Sequence, residues 1–181
     1  MEINDRAVPG ESESEVMENH LARYEFAKNF VKDKIIYSIA CGVGFGEYIL
    51  ATESGAKKVI GLDCSEEAIS YANKHYQAAN LSFLQGDALM SGISNNSADI
   101  LISFETIEHI ENDKKLLREF RRILKPGGML IISTPNKAYS LKSLLSLRPI
   151  NPAHIREYNK KQLESLLAAN FTNIKFYGQI I

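Results

Sequence analysis

Two carboxylates and an imidazole stand close together in the segment Glu105-Thr106-Ile107-Glu108-His109. Residues spaced i, i+3 and i+4 fall on one face of a helical turn, so Glu105, Glu108 and His109 are expected to converge. An imidazole in such a cluster can act as a general base, and a mixed carboxylate and imidazole set suits Mn, Fe, Co or Zn better than Mg. The structural alternative is that Glu105 caps the turn, Glu108 is a surface charge and His109 packs against its neighbours.

A glycine-rich turn over residues 38–46, with glycine at positions 42, 44 and 46, follows the apolar segment 35–37. A strand, a glycine turn and a helix together form a cradle for a nucleotide-like ligand. The three glycines are expected to let the backbone approach a ligand where a Cβ would collide. The dinucleotide fingerprint requires G-x-G-x-x-G, and Glu47 stands where its third glycine would fall. The turn therefore indicates a nucleotide-like ligand and disfavours NAD.

Asp63 ends a second apolar segment, Lys58 to Asp63. A carboxylate at the tip of the second strand can accept hydrogen bonds from two ribose hydroxyls. The alternative interpretation is a cap for the helix that starts near Ser65. The ribose interpretation fits any cofactor that contains an adenosine, so it does not choose among them.

The elements that hold these residues alternate between helix and strand. Strands are predicted over 35–39, 58–63, 81–85, 99–104, 129–133 and 172–177, and helices over 16–31 and 47–53, after Ser65, across 116–124, near 139–147 and after the cap Asn159. This alternation predicts an α/β fold with a doubly wound, mostly parallel, Rossmann-like sheet and helices on both faces. Ligands bind such sheets at the carboxyl ends of the strands, where the candidate residues stand.

The length of 181 residues fits one domain, predicted over 16–181 after a flexible N-terminal segment over 1–15. The formal net charge is −1 and the pI about 6.4, values that disfavour a nucleic-acid partner. Five basic residues between Lys114 and Arg122 are interpreted as a solvated helix face.

Two cysteines, Cys41 and Cys64, do not form a disulfide framework and fit a reducing compartment. No apolar run reaches the ~20 residues of a membrane span. A cytoplasmic protein with no membrane span is therefore expected.

Three further motifs accompany the glycine turn: Gly86-Asp87-Ala88 after the third strand, residues 124–128 (Leu-Lys-Pro-Gly-Gly) before the fifth, and residues 133–136 (Ser-Thr-Pro-Asn) after it. Together they resemble the class I S-adenosylmethionine (SAM) methyltransferases from about Leu21 to Tyr177. The chain looks most like a subgroup of small bacterial enzymes with Ala-Cys-Gly-x-Gly-x-Gly, Phe-Glu-Thr-Ile-Glu-His and Asn-Pro-x-His-x-x-Glu-Tyr motifs.

The resemblance implies a SAM site in which each part of the cofactor has its own residues. The implied set is Ala40, Cys41, Gly42 and Gly44 around the methionine part, Asp63 at the ribose, Cys64 against the adenine, Asp87 and Ala88 at the adenine edge, and Phe104 closing the methionine side. Two positions depart from the pattern of the family, which usually has an acid at Ser38 and glycine at Ala40. A neutral hydroxyl at Ser38 replaces a charge that would orient the SAM ammonium, so the affinity is weaker or another acid contributes.

The resemblance also bears on the acceptor. Glu105, Glu108 and His109, together with the distant His154, resemble the metal site of small-RNA 2′-O-methyltransferases, which bind a terminal ribose diol through a divalent ion. His109 and Glu105 are the implied catalytic residues, with or without a divalent metal. The implied reaction is O-methylation of a hydroxyl on a small molecule or glycan. The alternatives are a nitrogen acceptor, an RNA 2′-O-methyltransferase with the metal site, and a non-catalytic SAM-binding module.

Enzymes of this family usually complete the sheet with a seventh strand antiparallel to the sixth. Nothing after Gly178 can form it, so the seventh strand is expected to be missing. Either the chain is truncated or a second copy covers that edge in a homo-oligomer.

Overall fold

A computed structural model describes residues 9–10, 14–137, 151 and 153–179. The helix predicted near 139–147 lies outside the described residues, as does most of the N-terminal segment 1–15. The helices are α1 (Ser14–Lys28), α2 (Phe45–Glu53), α3 (Glu66–His75), α4 (Asp113–Ile123) and α5 (Lys160–Ala168), with a 3₁₀ turn at Ile107–His109. The strands are β1 (Ile35–Ile39), β2 (Lys58–Asp63), β3 (Leu81–Gln85), β4 (Ala98–Phe104) and β5 (Leu124–Ser133).

The five strands form one parallel sheet in the order β3-β2-β1-β4-β5. The chain builds β1, β2 and β3 outward in one direction and then returns to the other side of β1 with β4. The switch in strand order therefore lies between β1 and β4. This confirms the doubly wound α/β prediction and locates the crevice in which such sheets bind ligands.

Successive residues of the central strand β4 face different cores, as the period of a strand requires. Ile100 and Ile102 pack with residues of α1 and α2, whereas Leu101 packs with residues of α4 and α5. Helices therefore cover both faces of the sheet, which explains the near-continuous apolar sequence of its strands.

Two helix starts follow directly from their capping residues. The Ser65 hydroxyl accepts a hydrogen bond from the Ala68 backbone N–H at 3.2 Å. Asn159 and Gln162 form a reciprocal capping box, with distances of 3.0 and 2.9 Å. Both caps confirm the sequence prediction, because capping needs only local chemistry.

The strand predicted over 172–177 is not formed. Asn173 adopts a left-handed conformation with φ of 56°, and no strand of the described sheet pairs with this segment. The Tyr177 ring instead packs against Phe26 of α1, with ring centroids 4.8 Å apart, and Gln179 donates to the Asn19 carbonyl of the same helix at 3.0 Å. Side-chain packing onto α1 thus replaces backbone pairing. In the part of the chain that is described, β5 is the last strand on its side of the sheet.

Strand β5 begins five residues earlier than predicted. Leu124 leaves the helix with extended angles (φ −68°, ψ 134°) and pairs with Ala98. The pairing shifts register between Ala98 and Ile100, so the strand passes Pro126 and Gly127 through an irregularity. Helix α4 therefore ends at Ile123, before the proline.

Two of the three glycines in the turn serve protein packing. A Cβ on Gly44 would lie 2.6 Å from the Phe83 ring, and a Cβ on Gly46 would overlap the ring of Tyr24. These contacts give glycine a packing reason at 44 and 46, and the expectation that the glycines also let the backbone approach a ligand stays a prediction. At Gly42, the left-handed φ of 58° is the reason for glycine.

Replacing Gly46 with alanine is expected to destabilise the fold by about 1–3 kcal/mol, because the new methyl group forces the Tyr24 ring away from α2. Chemical denaturation measures the change. Gly178→Ala is the matched control, since a Cβ there meets no atom within 4 Å. Equal stabilities of the two variants would contradict the packing role of Gly46.

The surface carries the basic residues as expected. Lys114, Lys115, Arg118 and Arg121 are exposed along α4, and Arg122 pairs with Glu119 at 2.7 Å. Cys41 is buried and Cys64 exposed, and neither takes part in a disulfide bond among the residues described. Among the helices that are described, none is long and apolar enough to cross a membrane.

Candidate functional site

The turn after β1 has a left-handed backbone at three predicted cofactor residues, with φ of 61° at Ala40, 58° at Gly42 and 84° at Gly44. Alanine in this conformation costs roughly 1–2 kcal/mol. Ala40 therefore holds, at the expense of strain, a backbone conformation that glycine adopts freely. Backbone strain of this kind is typical of ligand-binding turns.

Asp63 ties the glycine turn to the end of β2. Its side chain is nearly buried, one carboxylate oxygen accepts from the Gly42 N–H at 2.9 Å, and the other accepts from the Ser65 N–H at 2.9 Å. Ser65, rather than Asp63, caps α3. Because each carboxylate oxygen can accept more than one hydrogen bond, this geometry is compatible with the predicted contacts to a ribose.

The adenine residues predicted from the family stand at the ends of β2 and β3, which are adjacent in the sheet. The Asp87 carboxylate accepts from the Leu89 N–H at 2.8 Å and is exposed, so its turn is ordered while the side chain stays accessible. Cys64 is exposed and Ala88 half-buried. Phe104, at the end of β4, packs edge-to-face against Tyr24 with ring centroids 5.2 Å apart.

Ser38 is buried at the end of β1 and donates from its hydroxyl to Glu47 Oε1 at 2.6 Å. The Tyr24 hydroxyl donates to the same oxygen at 3.0 Å. Burial raises the pKa of Glu47 to about 7. In the sequence, Glu47 stands out only because it occupies the position of the third glycine of the dinucleotide fingerprint. The sequence did contain a signal for this role of Glu47. Glu47 is an acid between apolar residues in the first turn of α2, and the end of β1 before it has no acid.

Glu105 does not lie on a helical face with Glu108 and His109, so that expectation is wrong. The Glu105 N–H bonds to the Ser133 carbonyl at 3.1 Å, which continues the sheet by one residue, and the chain then turns with a left-handed φ of 48°. One Glu105 oxygen accepts from the Ser133 hydroxyl at 2.6 Å, and the other lies 3.5 Å from Arg23 Nη2 of α1.

Glu108 is fully buried, so the surface-charge alternative is wrong for it. Burial, followed by the charge of Glu105, raises its pKa to about 7. Its Oε2 accepts from the Thr134 hydroxyl at 2.8 Å, whereas Oε1 is buried with no hydrogen-bond partner among the residues described. A buried acceptor of this kind can take a further hydrogen-bond donor or a cation.

His109 and His154 meet edge-to-face with ring centroids 4.9 Å apart. The Ala153 carbonyl lies 3.0 Å from His109 Nδ1. A carbonyl only accepts, so Nδ1 donates this hydrogen bond, and in the neutral ring Nε2 then carries the lone pair. His154 Nδ1 lies 3.2 Å from Glu157 Oε1. The segment with His154 is held on the 3₁₀ turn by the Ile155 N–H, which donates to the Glu108 carbonyl at 2.9 Å.

Three of the four predicted metal ligands come together. Glu108, His109 and His154 each offer a ligand atom within 4.8 Å of the others, and Glu105 is not part of this group. With metal–ligand bonds of about 2.0–2.2 Å, two ligands of one ion lie at most about 4.4 Å apart. The three side chains therefore need only a small closing movement to share an ion.

Helix α1 supplies groups that the sequence analysis did not assign to the site. Arg23 reaches Glu105, Tyr24 reaches Glu47, and the His20 ring lies edge-on to Phe45 at 6.4 Å. Arg23 Nη1 is buried with no partner in the described portion of the chain. Periodicity predicted the helix, but it contained no signal for where the helix packs.

The profile of a protein family described as a methyltransferase domain matches residues 31–177. A "Probable S-adenosylmethionine-dependent methyltransferase" of Mycolicibacterium smegmatis is 28% identical over 164 residues, which cover 90% of this chain and 62% of the relative. A relative with the same description from Mycobacterium tuberculosis is 31% identical over 144 residues, which cover 79% of this chain and 50% of the relative. The solved structure of a Pyrococcus horikoshii OT3 protein has a TM-score of 0.76 at 23% sequence identity. The match covers 95% of this chain and 91% of the chain of that protein.

The chain thus spans between half and about three fifths of these curated relatives. The profile match covers most of the chain, and the sheet order and the turn after β1 agree with the fold that the motifs predicted. The family prediction is therefore confirmed: the chain belongs to the class I SAM-dependent methyltransferases.

Proposed function

We infer that this chain is a SAM-dependent methyltransferase domain that methylates a hydroxyl on a small molecule or glycan. The observation that carries the proposal is the arrangement at the carboxyl ends of the strands. A left-handed glycine turn and Asp63 stand beside β1, and an imidazole with an available Nε2 stands beyond β4. The glycine turn and Asp63 suit a cofactor that contains an adenosine. The imidazole suits the removal of a proton from an acceptor.

The residues present fit SAM. The strained turn at 40–44 would hold the methionine part, Asp63 would hold the ribose, Asp87 and Ala88 would contact the adenine edge together with Cys64, and Phe104 would close the methionine side. SAM, when bound, supplies an electrophilic methyl group. The protein then has to align the acceptor, exclude water and take up a proton. Alignment of this kind contributes up to about 7–11 kcal/mol in well-oriented intramolecular reactions.

His109 is the proposed general base. Its Nδ1–H is fixed by the Ala153 carbonyl, so Nε2 is held ready to accept the hydroxyl proton. Glu105 is the second proposed catalytic residue, and its negative charge contributes to the raised pKa of Glu108 beside it. An acceptor hydroxyl between these groups would lose its proton to His109 as the methyl group is transferred.

A divalent ion at Glu108, His109 and His154 is a second way to activate the same hydroxyl. The unpartnered Glu108 oxygen and the two imidazoles favour Mn, Fe, Co or Zn over Mg. These residues would hold the ion, which would lower the pKa of the bound hydroxyl. An RNA acceptor is disfavoured by the net charge of −1 and the pI of about 6.4.

The cofactor is tested by calorimetry with SAM and with NAD. We expect SAM to bind and NAD not to bind, because Glu47 interrupts the dinucleotide fingerprint. Binding of NAD without binding of SAM would overturn the proposed function.

The metal is tested by calorimetric titration with Mn²⁺ in the wild type and in His154→Ala. We expect binding in the wild type and a loss of at least about 10-fold in the variant, since one of three ligands is removed. His75→Ala is the matched control, because His75 is exposed on α3 and stacks on Tyr71. A wild type without Mn²⁺ binding, or an equal effect of both variants, would exclude the metal and leave His109 as the base.

A further inference from the structure

Glu47 has a buried carboxyl group in which only one of the two oxygens has hydrogen-bond partners among the residues described. The side chain is fully buried in the first turn of α2. Its two side-chain hydrogen-bond donors, the hydroxyls of Ser38 and Tyr24, lie on Oε1, and a hydrogen bond from its own backbone also acts to lower its pKa. Oε2 is buried and has no partner within the described ranges. Buried polar atoms are rarely left in this state, so Oε2 is a candidate contact for a ligand.

The surroundings of Glu47 favour a cationic ligand. The groups that face it from neighbouring elements are Tyr24 of α1, Asp63 of β2 and Tyr76 after α3. Asp63 is an acid, and its charge works against ionisation of Glu47. A buried carboxylate is costly unless a positive charge pairs with it.

The position of Glu47 in the chain indicates which cation would bind to it. Glu47 follows the turn at 40–46 directly, and its hydrogen bond to Ser38 brings its carboxyl to the end of β1. Asp63, which faces Glu47, also holds the N–H of Gly42 in that turn. The carboxyl therefore stands at the part of the site that receives the methionine portion of the cofactor.

We propose that Glu47 is the anionic group that recognises the α-ammonium of the SAM methionine, from α2 instead of from β1. Ser38 and Tyr24 hold Oε1 and thereby orient Oε2. In this arrangement the serine at the end of β1 is a hydrogen-bond donor to the acid, and the charge lost at position 38 is supplied from position 47. The proposal rests on the SAM assignment above and adds a binding residue to it.

The test compares two neutral thioether ligands, S-adenosylhomocysteine and 5′-methylthioadenosine, by calorimetry. Both carry adenosine and a sulfur atom, but only the first carries the amino acid portion. In Glu47→Gln we expect the affinity for S-adenosylhomocysteine to fall about 10- to 100-fold, the usual range for a hydrogen bond to a charged group. The affinity for 5′-methylthioadenosine is expected to change less than about 2-fold.

Glu53→Gln is the matched control, because the exposed Glu53 ends the same helix and pairs with Lys28 at 2.9 Å. It is expected to leave both affinities unchanged. A parallel loss of both ligands in Glu47→Gln, or no loss of either, would overturn the inference. If the wild type binds neither S-adenosylhomocysteine nor SAM, the proposed function itself fails, so the two failures are distinguishable.

A second measurement uses the wild-type protein alone. Carboxyl ¹³C NMR follows the titration of Glu47, whose pKa is raised to about 7 by burial. Saturation with S-adenosylhomocysteine is expected to lower this pKa by one unit or more, because the ammonium favours the carboxylate form. 5′-Methylthioadenosine is expected to leave it in place. An unchanged titration with S-adenosylhomocysteine would overturn the inference.

Discussion

Asp63→Asn is expected to lower the affinity for SAM by about 100-fold. The asparagine keeps the shape of the side chain but loses the charge. The wild-type carboxylate accepts from the N–H groups of Gly42 and Ser65 at 2.9 Å each, so it holds the turn in addition to its proposed contact with the ribose. Hydrogen bonds to a charged group contribute about 1.5–3 kcal/mol, and the loss of one or two of them gives the expected factor.

Asp99→Asn is the matched control. Asp99 also accepts a backbone N–H, from Ile35 at 2.8 Å, and it pairs with Lys125 at 2.7 Å. It lies near the start of β4, at the opposite end of the sheet from the site. This variant is expected to lower stability and to leave the affinity for SAM within about 2-fold of the wild type. Similar losses of affinity in both variants would show that Asp63 acts only through stability.

The second large effect concerns the stability of Glu47→Gln as pH changes. Burial raises the pKa of Glu47 from its ordinary value of 4.5 to about 7 in the folded state. Below pH 4.5 the acid is protonated in both states. As the pH rises toward 7 the unfolded chain ionises first, so the folded wild type loses stability. Since one unit of pKa is worth 1.36 kcal/mol, the loss is about 3 kcal/mol above pH 7.

Glutamine does not titrate, so the variant avoids this loss. The stability of Glu47→Gln relative to the wild type is expected to rise by about 3 kcal/mol between pH 4.5 and pH 8 in the absence of cofactor. Urea denaturation across this range measures the difference. Glu108, whose pKa is raised similarly, is common to both proteins and cancels. A difference that stays constant with pH would show that Glu47 is not protonated in the folded protein at pH 5.

For Glu47→Gln, the stability measurement and the binding measurement together would separate the two roles of the residue. Between pH 4.5 and pH 8 the wild type is expected to lose stability relative to the variant, yet to remain the better binder of the methionine portion. Such opposite effects are typical of a group that is retained for a ligand, since packing alone would favour the neutral side chain.

Much of the fold was predictable because its determinants are local in sequence. The strands at 35–39, 58–63 and 81–85 have the predicted bounds. Ser65 and Asn159 cap their helices through neighbours three residues away. The predicted strand over 172–177 failed because a strand exists only where another strand pairs with it. Apolar spacing cannot show whether a partner is within reach.

The site, like the fold, has features that were predictable from the sequence and features that were not. The turn at 40–46 and Asp63 were predictable because the residues after parallel strands meet at one edge of the sheet. The left-handed turn at Glu105 was not, because it depends on how far the pairing of β4 with Ser133 of β5 continues. For that reason the single helical face expected for the cluster did not form.

By itself, the order of residues determined the alternation of helix and strand, the family and the strand ends at which ligands bind. The tertiary structure alone decided which side chains meet there. Glu47 and Tyr24 are 23 positions apart, yet they share a hydrogen bond, and His109 meets His154 across 45 positions. The physical reason is that burial and charge pairing arise from contacts between distant segments, and a local sequence pattern does not show these contacts.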